Sequence, residues 1–109
     1  MKELSKTIKR LVEFRDERDW QQFHNSKDLA IAISIESSEL LELFLWKDDE
    51  DVKIEKLKEE LADIFAYSLL LAEKHGLDIN DIVMEKIKIN SSKYPISKAK
   101  GSAAKYTDL

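Results

Sequence analysis

The chain has 109 residues, a formal net charge of −4, two glycines, one proline and no cysteine. That length suits one modest core. The missing cysteines exclude disulfides, thiolate metal sites and cysteine nucleophiles, and the acidic balance leaves no electrostatic footprint for a nucleic-acid polymer. The opening MKELSKTIKR has no apolar stretch for a signal peptide, and the apolar runs are too short and too broken by charge to span a bilayer. A soluble cytoplasmic protein away from membranes is the expectation.

Apolar residues recur at spacings of three and four along nearly the whole chain, which predicts an all-α protein, a four-helix bundle. Helix one is expected over about 2–18, carried by Leu4, Ile8, Leu11, Val12 and Phe14. The segment DWQQFHNS breaks the pattern, and Asn25 or Ser26 is placed to cap helix two, expected over about 27–46. The acidic link KDDEDV reads as a solvated turn. Helix three is expected over about 52–75, stopping at Gly76 as a left-handed terminal residue. Asp78 is placed to cap helix four, which ends before Pro95. The polar tail KAKGSAAKYTDL is either disordered or docked, giving a helical domain 1–95 and a tail 96–109.

Two acidic pairs stand out. At about 100° per residue, Glu36 shares its face with Leu29, Ala32, Ile33, Leu40 and Leu43, and Glu39 lies about a sixth of a turn away. On helix three, Glu60 points with Leu57, Ile64, Tyr67 and Leu71, and Asp63 flanks it. ESSE and ELAD thus put i, i+3 carboxylate pairs on the apolar arcs of two helices joined by a short link, a hairpin in which the pairs converge. An acidic pair on a helix usually marks a solvated face, and Glu42, Glu55, Glu59 and Glu73 fall off these arcs and fit that description. Converging carboxylates in a low-dielectric site need a counter-charge. All-oxygen ligands select a hard ion, Mg²⁺ or Mn²⁺. Neither pair has a histidine at its third position, which disfavours the di-iron bundle chemistry.

Helix three carries a second apolar arc, Ile54, Leu61, Phe65, Leu69 and Ala72, nearly opposite the acidic one. A helix apolar on two sides must be covered on both, so a homo-oligomer is expected.

ESSE followed 24 residues later by ELAD resembles the signature of the MazG-like, all-α nucleoside triphosphate pyrophosphohydrolases. ERDWQQFHNSKDLAIAISIESSELLELFLW, EELADIFAYSLLLA, INSSKYP and KGSAAKYTDL together look like the dCTP pyrophosphatase branch, from Glu17 to Leu109. The resemblance implies Mg²⁺-dependent hydrolysis of a nucleoside triphosphate to monophosphate and pyrophosphate by a homodimer or homotetramer. Glu36, Glu39, Glu60 and Asp63 match its metal ligands. Trp20, His24, Trp46 and Tyr67 match positions used around the nucleotide, and Lys86, Asn90, Lys93 and Tyr94 match a spacing near the phosphates. Glu36 and Glu39 form the candidate catalytic pair. Glu39, offset from the arc, is the candidate to take the proton of an attacking water. One departure bears on specificity: that branch carries a base-pocket histidine in helix one, roughly where this chain has Leu11 or Val12. A broad house-cleaning hydrolase of modified nucleotides is therefore the alternative within the enzyme class. A non-catalytic helical interaction module is the alternative outside it. Without the resemblance, Trp20 and Trp46 read first as packing, Tyr67 as packing or a sugar contact, His24 as closing the loop or capping helix two, and Lys86, Asn90 and Lys93 as an exposed polar edge.

Overall fold

A computed structural model describes residues 2–48 and 50–109, with the backbone alone at Lys2. Its main elements are four helices, α1 (Lys2–Glu17), α2 (Ser26–Glu42), α3 (Ile54–Lys74) and α4 (Ile79–Lys93), followed by a single turn, α5 (Ile96–Ala99). No strand occurs among the described residues, and no helix there is long and apolar enough to cross a membrane.

The chain forms two compact units, residues 1–76 and 77–109. In the first, α2 packs on α3 and α1 packs on α3. Ser26 Oγ meets His75 Nε2 at 2.8 Å, joining the start of α2 to the end of α3, so these two helices run antiparallel. The core is small, built on Leu29 from α2 and Leu69, Leu70 and Ala72 from α3. The apolar arc of α2 behaves as its spacing requires: Leu29 is buried, and Ala32, Ile33, Glu36, Leu40 and Leu43 are half-buried. The second arc of α3 divides. Leu69 and Ala72 are covered, whereas Ile54 and Phe65 are each 62% exposed.

Local chemistry sets the helix ends. Asn25 accepts from the Asp28 backbone N–H at 2.8 Å, and Asp78 accepts from that of Asp81 at 3.0 Å, each satisfying an orphan donor of the first turn. Gly76 takes φ +64° just beyond α3, where a side chain would be strained.

Helix two is shorter than the sequence suggests, ending at Glu42 rather than near 46. Its last turn holds no basic residue, and Glu42 sits at the negative end of the helix dipole. The ladder tightens to i→i+3 bonds at Leu43, Phe44 and Leu45, and Trp46 leaves in a left-handed conformation, φ +60°. Within the acidic link Asp49 lies outside the described residues, and Lys47, Asp48, Glu50 and Asp51 are exposed. In the second unit α4 ends at Lys93, and Tyr106 from the tail lies edge-on to Tyr94, ring centroids 6.0 Å apart, beneath the Lys93 ammonium at 4.8 Å.

Candidate active site

Glu36 projects from the middle of α2 and Glu60 from the facing turn of α3, both on arcs that the packing half-buries. Glu36, Glu60 and Asp63 each bring a carboxylate oxygen within 4.8 Å of the other two. Glu36 Oε2 and Glu60 Oε2 are sealed from solvent with no hydrogen-bond donor. Burial, then the neighbouring Glu39 carboxylate, then the Asp63 charge push the Glu36 carboxyl up to about 7. Burial and the Glu39 charge likewise raise Glu60. Glu39 itself is exposed, at the rim of the group of three. Buried carboxylate oxygens with no donor are high in energy unless protonated or matched by a cation. The donor set is all oxygen, which fits a hard divalent ion.

Next to the carboxylates opens a cavity of about 270 Å³ lined by Leu11 and Phe14 from α1, Trp20 and His24 from the following loop, and Asp63 and Tyr67 from α3. Arg15, Ala66 and Leu70 complete it. The loop is held by its own backbone: the Trp20 N–H donates to the Arg15 carbonyl at 3.1 Å, and Asp19 takes φ +55° to make the reversal. The Trp20 ring stands edge-on to Phe14 at 5.7 Å, and His24 edge-on to Tyr67 at 6.4 Å. Trp20, His24, Tyr67 and Asp63 thus line one cavity. Trp46 is absent from this lining and stands 94% exposed. Lys86, Asn90, Lys93 and Tyr94 belong to the second unit, exposed on α4 and at the residue that follows it.

Arg15 escapes the sequence reading, yet it is 6% exposed and lines the cavity. It lies four residues after Leu11 and seven after Ile8, on the apolar arc of α1. A charged residue on an apolar arc is the signal that singles out Glu36, and it applies equally here.

An antiparallel helical pair with an acidic i, i+3 pair on each member, beside an aromatic-walled cavity, is what the sequence signature leads one to look for. Residues 31–109 match the MazG-like family, and the chain belongs to it. Among curated relatives, dCTP pyrophosphatase 1 of Bos taurus is 42% identical over 111 aligned positions, spanning 94% of this chain and 66% of the relative. The human protein of the same name is 40% identical, spanning 94% and 65%. The chain therefore covers just under two thirds of the length of these relatives. Among solved structures, a pyrophosphatase of Archaeoglobus fulgidus matches with a TM-score of 0.78 at 36% identity, over 85% of this chain and 93% of that one.

Proposed function

We propose that the protein is a metal-dependent nucleoside triphosphate pyrophosphohydrolase that releases pyrophosphate and leaves the monophosphate. The observation that carries this reading is the pair of sealed, donorless oxygens on Glu36 and Glu60 beside a cavity walled by Trp20 and Tyr67. Glu36, Glu60 and Asp63 would hold Mg²⁺, or Mn²⁺ in its place, with Glu39 as the fourth carboxylate. An ion held there would offset the charge of the cluster and supply Lewis-acid chemistry toward phosphoryl oxygens and water. Glu39, which is exposed, would accept a proton from an attacking water, with Glu36 as its partner in the catalytic pair.

The cavity takes the base. Trp20 and Tyr67 offer aromatic surface, His24 a polar ring edge, and Trp46 a further exposed ring. The family resemblance assigns Lys86, Asn90, Lys93 and Tyr94 of the second unit to the phosphates. The names of the relatives support dCTP or a related pyrimidine deoxynucleotide as substrate. A second reading, broad hydrolysis of modified nucleotides, is favoured by Leu11: this apolar side chain lines the cavity roughly where the resembling branch carries a base-pocket histidine. Self-association as a dimer or tetramer belongs to the same proposal, since Ile54, Leu61 and Phe65 of the second apolar arc are left exposed.

The test is pyrophosphate release from a panel of canonical and base-modified triphosphates, with and without Mg²⁺. Preference for dCTP supports the narrow reading, and comparable rates across modified bases support the broad one. No Mg²⁺-dependent release from any triphosphate overturns both.

A further inference from the structure

The tail after α4 turns back on the helix it leaves. Pro95 caps the single turn α5, the Ser102 N–H donates to the Ala99 carbonyl at 3.0 Å, and Gly101 takes φ +78°, a conformation that an L side chain resists. Pro95, Ala99 and Leu109 are half-buried along this return. The reversal brings the short turn Tyr106–Asp108 to the end of α4. There Tyr106 stands edge-on to Tyr94, and the Lys93 ammonium lies 4.8 Å from the Tyr106 ring centroid. That is within the roughly 6 Å over which the negative face of an aromatic ring attracts a cation.

Lys93 forms no ion pair among the described residues. Residues 86–109 hold six lysines and one acidic residue, Asp108, in a chain whose net charge is −4. The end of α4 and the tail are therefore a basic stretch of an acidic protein, suited to an anion. An aromatic face restrains a lysine differently from a carboxylate. A carboxylate would fix the ammonium and cancel its charge, whereas a ring draws it through its quadrupole and leaves the charge for another partner. The four-carbon stem of lysine is otherwise free to rotate, and an anion that captures it must immobilise it. A ring already holding the ammonium removes part of that cost.

We propose that Tyr106 is a positioning residue: its ring, returned by the tail against Tyr94, holds the Lys93 ammonium in place and uncompensated for a phosphate of the substrate. The proposal rests on the pyrophosphohydrolase reading above and gives the tail a part in it. Tyr106 acts on affinity for the polyphosphate and leaves the chemical step alone. The contact is made by the ring face, so phenylalanine serves as well as tyrosine, and an aliphatic side chain does not.

The test compares the full-length wild type with Tyr106→Phe and Tyr106→Leu; Tyr106 is 48% exposed and outside the core, so all three should fold alike. In ¹³C-lysine NMR the Lys93 ε-methylene protons, assigned with Lys93→Gln, are expected at the upfield position that an aromatic face imposes in wild type and Tyr106→Phe. In Tyr106→Leu they are expected at the ordinary lysine position. Inorganic tripolyphosphate with Mg²⁺ probes affinity: Tyr106→Leu is expected to weaken its binding about two- to fivefold, the value of an exposed cation over a ring, and Tyr106→Phe to leave it unchanged. In hydrolysis the same factor is expected in KM, with kcat unchanged. On a Lys93→Gln background Tyr106→Leu is expected to have no further effect, a coupling that a tail serving only as packing would not produce. An unshifted Lys93 in the wild type, tripolyphosphate affinity equal in wild type and Tyr106→Leu, or the same loss in both backgrounds overturns the role of Tyr106 and leaves the hydrolase reading standing. Turnover of no triphosphate overturns the hydrolase reading, while tripolyphosphate losses that still follow the expected pattern would keep Tyr106 as the residue that positions Lys93 for phosphate.

Discussion

Glu36 and Glu60 meet across the seam between α2 and α3, each with its Oε2 buried and without a donor. Neither oxygen contributes a stabilising bond within the chain, so removing their charge should harm catalysis and spare the fold.

Glu36→Gln and Glu60→Gln are each expected to cut Mg²⁺-dependent pyrophosphate release by more than the roughly 10–100-fold typical of losing an outer-shell partner of a metal site. Melting temperature without metal should be unchanged or raised. Wild-type rates in either variant would remove the carboxylates from the mechanism.

Stability without metal should depend on pH in an unusual direction. In the folded chain Glu36 is held at about 7 against 4.5 for the free group, so the native state binds the proton more tightly than the unfolded state. Its stabilising contribution is complete below about 4.5 and disappears as pH rises through about 7. In EDTA, the melting temperature of wild type relative to Glu36→Gln should fall between those values. Adding Mg²⁺ above pH 7 should reverse the loss, by about 2.7 kcal/mol at an ion concentration a hundred times its dissociation constant. A difference between the two proteins that does not change with pH would contradict the geometry.

Much of this was open to reading from the sequence because it follows from angular spacing. Residues three and four apart share a face, and a carboxylate at such a position beside Leu40 or Ile64 is conspicuous. Asn25, Gly76 and Asp78 mark helix ends through their own backbone chemistry, which needs no tertiary partner. The stopping point of α2 was not legible in the same way: LELFLW keeps a helical pattern past Glu42, and only the uncompensated dipole and the turns beyond it end the helix. The burial of Arg15 depends on Glu73, 58 residues away, and no local rule joins the two.

Trp46 separates binding from folding. At 94% exposure and in a left-handed turn, it contributes little to the core. Trp46→Ala should leave the melting temperature nearly unchanged and weaken nucleotide binding by about 1–3 kcal/mol, the value of a stacked base. Isothermal titration with a non-hydrolysable triphosphate measures this; equal affinity would take Trp46 out of the site.

Phe65 tests self-association. Because 62% of it is exposed in the single chain, Phe65→Asp should be tolerated by the fold and should drive the protein to monomer in sedimentation. A wild-type protein already monomeric at micromolar concentration would refute the expectation.

Gly76 offers a local check. Nothing lies within 4 Å of a Cβ built there, so Gly76→Ala is strained only through φ +64° and should cost about 1 kcal/mol by denaturant unfolding, with Gly76→Asn costing less.

The link between α2 and α3 has a use in engineering. Cutting it would yield one fragment carrying Glu36 and Glu39 and another carrying Glu60 and Asp63, neither holding a complete set. With like charges opposing their reunion, an added divalent ion would tighten the association of the pieces, and withdrawing it would loosen them again. The same crowding of charge that would draw an ion to the cluster would make the severed chain a reversible, ion-gated switch.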